Sequence, residues 1–384
     1  MKNRSRKIMS KLLITALGLF LLAGCGDDNS TNDQGIYVNI IPYRALVDFG
    51  NTQMYRAEVI GAENQFVSWR VNGVQGGDNV NGVIDSMGNY TAPPSPVPNS
   101  DSVRIEAIPI ADTTKLGIAW AVLIDPGKIY VSMLGSDSTG VGSLYRPYRT
   151  ITKALNRATN GQLVLIGAGE YDLEAGEQFP LIIPAGVTVE GAGSDSTFIT
   201  GPGLVFDPRS DALVRIHGFA SSLEDVHIRT SNSLGVGIWL RPGFQTRLVR
   251  NRITGSRIGI FVDGPNLPRP LIDQNRLDFD SIGIVTADTC APIIRHSTIT
   301  QCYDIGIDIR DLSRPDLGAD DSTGVGLDSI ADCGINNHWL IHNQTPNTIM
   351  AIGNRWPFPI PNDNDQFIYD DEESGGASGP VMLE

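Results

Sequence analysis

Three aspartates raise the first chemical question. Glycines recur about every 23 residues in the second half of the chain, and aligning on them places Asp280 and Asp304 on neighbouring turns, with Asp308 and Asp311 close behind. Glycoside hydrolysis needs a proton donor and a second carboxylate about 5 to 9.5 Å apart. Asp280, Asp304 and Asp308 are therefore the catalytic candidates, and a solvated acidic edge is the plainer reading of the same residues. Two positions after each recurring glycine stand Trp239, Phe261, Val285 and Asp308. On strands this column faces outward, and rings about 4.8 Å apart suit stacking on sugars. Trp239 and Phe261 are thus the glycan-binding candidates, unless the loop from Gly264 to Pro270 covers them. Asp316, Asp320 and Asp321 offer oxygen ligands for Ca2+, the one cofactor the sequence suggests, although neither an EF-hand nor a nonapeptide calcium repeat accompanies them. The five histidines lack the spacing of a zinc site.

The element that must carry these residues is an internal repeat. Val236-Gly237-Ile238, Ile258-Gly259-Ile260, Ile282-Gly283-Ile284 and Ile305-Gly306-Ile307 set their glycines 22, 24 and 23 residues apart. A second register, Val226-His227-Ile228, Asn251-Arg252-Ile253, Asn275-Arg276-Leu277 and Ser297-Thr298-Ile299, interleaves with the same period. Two registers with one period predict stacked coils, with Ile238, Ile260, Ile284 and Ile307 piled in the core. Asn251 and Asn275 fall where stacked asparagines satisfy turn backbone. Thr150, Ile151, Ala154 and Leu155 have the spacing of a short helix capping the open end of such a stack.

Residues 36 to 125 differ. Short β-rich runs such as Val67-Ser68-Trp69-Arg70-Val71 and Val103-Arg104-Ile105-Glu106-Ala107 alternate with turn residues, which predicts a small β-sandwich with Trp69 and Tyr90 in its core. Before it, residues 25 to 35 hold no large hydrophobe and read as a flexible tether. At the N-terminus, Lys2, Arg4, Arg6, Lys7 and Lys11 precede a charge-free run of 12 residues from Leu12 to Ala23, too short to span a bilayer, which takes roughly 20. Residues 1 to 24 are therefore read as a signal peptide. Its removal leaves 24 Lys plus Arg against 43 Asp plus Glu, a net charge of −19. So acidic a chain is a poor partner for nucleic acid. Beyond Cys25 only Cys290, Cys302 and Cys333 remain, so at most one internal disulfide can form; Cys302 and Cys333 occupy like positions in successive coils and either bridge or stack.

Leu22-Ala23-Gly24-Cys25 resembles the lipobox of bacterial lipoproteins, which implies cleavage before Cys25, diacylglycerol and palmitate on it, and a membrane anchor. Gly26 after it, in place of Asp, is similar to an outer-membrane sorting signal, with the leaflet left open. Trp69-Arg70-Val71-Asn72-Gly73 and Gly88-Asn89-Tyr90-Thr91-Ala92-Pro93 resemble bacterial immunoglobulin-like domains, implying a spacer over residues 36 to 125. Pro147-Tyr148-Arg149-Thr150-Ile151, Val187-Thr188-Val189-Glu190-Gly191 and Ile352-Gly353-Asn354-Arg355-Trp356 resemble secreted proteins of the pectin-lyase-like family. The implied fold is all-β: an N-terminal immunoglobulin-like sandwich, then over residues 126 to 384 a single-stranded, right-handed parallel β-helix with a short capping helix. The combined catalytic motifs of galacturonan hydrolases are not found, and Arg269-Pro270 lacks the R-x-P-x-x-R spacing of pectate lyases. Two readings stand: a lipid-anchored, noncatalytic cell-envelope protein for adhesion or glycan binding, and a polysaccharide lyase or glycoside hydrolase.

Overall fold

The computed structural model describes residues 35–384, apart from 203–211, 232–233, 242–244, 319–325, 327, 332, 334–338, 358–366, 371 and 384. Cys25 and residues 1 to 24 lie outside the described residues, as do Asp320 and Asp321. Among the described residues no helix is long and apolar enough to cross a membrane.

From Lys128 onward the chain winds into three parallel sheets of seven, seven and eight strands. Sheet 1 runs from Lys128–Val131 to Ile293–Arg295, sheet 2 from Gly169–Tyr171 to Ser329–Ala331, and sheet 3 from Leu181–Ile183 to Ile368–Tyr369. Each of the six coils from Leu163 to Ile309 contributes one strand to each sheet, the arrangement of a right-handed parallel β-helix. The repeat is the cause: Ile238 pairs with Ile260, Ile260 with Ile284 and Ile284 with Ile307, all with no exposed surface. The helix Ile151–Leu155 buries Ile151, Ala154 and Leu155 against the first coils, and Thr150 caps it by accepting from Lys153 N.

At the turn between sheets 1 and 2 a polar ladder runs through the interior. Asn251 N donates to Asn275 Oδ1 (3.0 Å), Asn275 N to Ser297 Oγ (3.3 Å), Ser297 N to Asp328 Oδ1 (2.7 Å) and Asp328 N to Asn354 Oδ1 (3.0 Å). Each side chain thus satisfies a backbone donor that the turn would otherwise bury unpaired. Cys290, Cys302 and Cys333 are buried thiols outside any disulfide, so the last two stack.

Residues 37–124 form a separate β unit of three sheets with two, five and four strands. Its own core holds Tyr55, Trp69 and Tyr90, and the Tyr90 hydroxyl donates to Asn81 O (2.7 Å). The last strand of this unit, Gly117–Ile124, leads through three residues into Lys128–Val131. Asp101 locks the junction by accepting from Ser143 Oγ and from Arg146 Nε (3.0 Å), and Asn99 N donates to the Tyr145 hydroxyl (2.9 Å).

Candidate functional site

The outward column on sheet 3 is sealed, which corrects the expectation that Trp239 and Phe261 are exposed. Trp239 is 7% and Phe261 5% exposed, and with Val285 they pack against Val236, Ile258, Ile282 and Ile305 in a second apolar cluster. The strand bends at each glycine, so Gly237 and Ile238 both face inward while Val236 and Trp239 both face outward. The indole N–H of Trp239 donates to Asp263 Oδ1 (2.5 Å), and the Arg215 guanidinium lies 5.8 Å from its ring centre. These rings are structural, and the signal for it was the apolar residue before every glycine.

The catalytic candidates do not assemble into one site. Asp280 points into the interior, where its Oδ1 accepts from Ser256 N (2.7 Å), its Oδ2 has no partner, and burial pushes the carboxyl up to about 8. Asp304 sits partly exposed one residue before the Ile305 strand. Asp308 stands on the outer face of sheet 3 but is only 1% exposed, against the expectation that it faces solvent. Its carboxylate accepts from Arg310 Nε (2.7 Å) and Gln344 Nε2 (2.8 Å), and His342 Nδ1 lies 3.1 Å away. Burial opposes its charge, yet the His342 hydrogen bond, the Arg310 charge and Gln344 together hold the carboxyl below its ordinary range. Tyr369 meets the His342 ring edge-on, with ring centres 4.8 Å apart.

Asp316, expected to hold Ca2+, instead holds two guanidiniums. Its Oδ2 accepts from Arg269 Nη2 (2.8 Å) and its Oδ1 from Arg295 Nη2 (2.7 Å). Burial would raise its carboxyl, and these two arginines outweigh that and lower it. A carboxylate committed in this way has little capacity left for a cation, and among the described residues no cluster of metal-ligating side chains occurs.

Arg269, one of these two arginines, also walls a concave surface together with Arg247 and Arg314. Two depressions on the outside of sheet 1, of about 510 Å³ and 360 Å³, share Arg269 as a wall. The first is lined by Ser222, Glu224, Gln245 and Arg247, the second by Asn266, Arg314, Asp316 and Met350. Strand register fixes the order along the axis, since Ser222 pairs with Arg247, Arg247 with Leu271 and Leu271 with Ile293, next to which lies Asp316. With coils about 4.8 Å apart, the four spacings from Ser222 to Asp316 span about 19 Å. Its carboxylates are already paired, Glu224 with Arg250 (3.0 Å) and Asp316 as above. Arg247 and Arg314 are exposed, and among the described residues no acidic side chain pairs with either.

Sequence reasoning missed these arginines. For Arg269 and Arg314 the available signal was the proline after each, as Pro270, Pro292 and Pro315 keep the coil period; Arg247, with Thr246 at the proline position, carried no such signal.

A family model for proteins of unknown function, DUF1565, matches residues 133–361. The chain belongs to the DUF1565 family. No curated protein matches it. Among solved structures this DUF1565 protein is similar to pectin methylesterase PemA from Erwinia chrysanthemi, with 11% identity, a TM-score of 0.45, and coverage of 64% of this chain and 94% of that one. It is similar also to pectin methylesterase from carrot (14% identity, TM-score 0.34, 67% and 88% covered). A third is the catalytic unit of an α-1,3-glucanase from Streptomyces thermodiastaticus (16%, TM-score 0.39, 76% and 62%). The β-helix of the DUF1565 region is established by its strand pairing.

Proposed function

We propose that the chain is a lipid-anchored cell-envelope protein whose β-helix binds, without cleaving it, a carboxylate-bearing polysaccharide along the arginine-lined groove of sheet 1. The observation that carries this reading is the pair Arg247 and Arg314, facing an elongated groove with no acidic partner among the described residues in a chain of net charge −14. A guanidinium grips a carboxylate through two parallel hydrogen bonds, and two guanidiniums spaced along the coil axis suit a ligand with repeated carboxylates. The N-terminal β unit serves as an immunoglobulin-like spacer. Cys25 carries the lipid, with the outer membrane as the expected location.

Electrophoresis of the chain through gels containing polygalacturonate or a neutral glucan tests the binding. Retardation is expected in the acidic gel only, and the double variant R247A/R314A is expected to bind at least tenfold more weakly, about 1.4 kcal/mol. Equal mobility of variant and parent in the acidic gel overturns the reading. Metabolic labelling with palmitate is expected to mark the chain and to vanish in Cys25→Ser.

One observation favours the alternative of a polysaccharide lyase or glycoside hydrolase: His342 is held by the buried Asp308 through Nδ1, the way a general base is oriented. New reducing or unsaturated ends in the same polysaccharides, abolished in His342→Ala, establish that alternative.

A further inference from the structure

The N-terminal β unit has two ends, and they differ in chemistry. At one end Gly117–Ile124 runs into the β-helix, where Asp101, Ser143 and Arg146 lock the junction. At the other, three segments converge. Tyr37 begins the first strand and pairs with Ile60, the loop 61–66 follows Ile60, and the hairpin loop 110–116 joins Ser102–Pro109 to Gly117–Ile124. Ile110 N donates to Phe66 O (2.9 Å), and Gly117 lies so close to Val38 that a Cβ there would come within 2.8 Å of Val38 Cγ1. This end exposes Phe66 by 75%, Ile110 by 59%, Tyr37 by 53% and Leu116 by 45%. Three large apolar side chains on adjoining loops, with Tyr37 at the start of the strand beside them, form a patch of the kind that marks an interaction surface.

The chain enters the domain at this same end. Residues 25 to 37 cannot span more than about 40 Å even when fully extended, so an acyl group on Cys25 keeps the patch within that distance of the bilayer. We infer that Phe66, Ile110, Leu116 and Tyr37 insert into the membrane interface and seat the domain on the lipid. The β-helix then projects away from the bilayer, because the opposite end lies one eight-residue strand, about 25 Å, further off. Lys115, Glu63 and Asp112 flank the patch with mixed charge, and Asp112 is occupied in its own turn by Thr114 N (3.0 Å). Apolar insertion into zwitterionic lipid, insensitive to salt, fits this composition better than attraction to an anionic surface. The inference rests on the lipid-anchor reading of Cys25 but is tested apart from it.

The test places an environment-sensitive NBD dye on Ile110→Cys, or as a control on Leu134→Cys, a 97% exposed position in the β-helix. Cys290, Cys302 and Cys333 are buried and stay unlabelled, and palmitate incorporation at Cys25 is scored in parallel. With phosphatidylcholine–phosphatidylethanolamine vesicles, dye at position 110 is expected to brighten at least twofold, to be quenched by nitroxide lipids, and to do so equally in 0.05 and 0.5 M NaCl. Dye at position 134 is expected to do neither. Palmitate incorporation without a response at position 110 overturns the insertion and leaves the anchor standing. A response without palmitate overturns the anchor and leaves the insertion standing, and the absence of both overturns both.

Discussion

Gly259→Ala is expected to destabilise the β-helix by about 3 kcal/mol or more, a larger effect than any single surface change in the molecule. A Cβ at this position would stand 2.7 Å from Gly283 O, 2.8 Å from Asp280 Oδ2 and 2.9 Å from Leu277 Cδ2. The nearest of these is backbone, and it cannot retreat because the coil beyond it is packed in the same way. A Cβ on Gly237 would meet Gly259 O at 2.7 Å, one on Gly283 would meet Gly306 O at 2.7 Å, and one on Gly306 would meet Leu340 O at 2.5 Å. The recurring glycine is therefore the place where the bend of sheet 3 brings successive coils into contact. Gly161→Ala makes the control: it has φ +86 and nothing within 4 Å, so its cost is about 1 kcal/mol of backbone strain. Urea unfolding of both variants, followed by circular dichroism, measures the difference. Equal midpoints for the two would show that the glycine repeat does not mark a steric contact.

Asp328→Asn is expected to stabilise the protein at alkaline pH and to leave it nearly unchanged below pH 4. Asp328 occupies a rung of the interior ladder otherwise built from Asn251, Asn275, Ser297 and Asn354, and its Oδ2 has no partner. Burial pushes its carboxyl up to about 7, as it pushes that of Asp280 up to about 8. Both values lie above the roughly 3.9 of an unfolded aspartate, so the folded state retains protons that the unfolded state has released. Stability is then fullest below pH 4 and declines as pH rises through 7 and 8. An asparagine keeps the acceptor for Ser297 N and has no proton to lose. Its amide also has a precedent, since Asn251 Nδ2 donates to Leu223 O (2.7 Å) and Asn275 Nδ2 to Leu248 O (2.9 Å). Melting temperatures between pH 5 and 9 are expected to fall in the parent, less in D328N or D280N, and least in the double variant. A parent curve that rises over this range would show the two carboxyls to be ionised in the fold.

The architecture was legible because its cause is periodic. Ile238, Ile260, Ile284 and Ile307 must recur at the coil period to stack, and the glycines beside them recur for steric reasons of their own. The asparagine ladder was legible at Asn251 and Asn275, where two rungs share a residue type, and illegible at Ser297 and Asp328, which fill the same role with other side chains. Burial of Trp239 and Phe261 was not legible from alternation alone. The bend at each glycine breaks the inside–outside rule for one residue, and a second apolar cluster forms on the face that the rule assigns to solvent. The groove was hidden for a different reason: Arg247, Arg269 and Arg314 are far apart in sequence and meet only once the coils are stacked. Asp316 looked like a cation ligand because its partners Arg269 and Arg295 come from earlier coils.

Crystals of the chain soaked with an oligogalacturonate test the central claim most directly. The sugar is expected to lie along the outside of sheet 1 between Arg247 and Arg314, with carboxylate oxygens about 2.7 to 3.2 Å from the two guanidiniums. An oligosaccharide bound on another face while this groove stays open would contradict it.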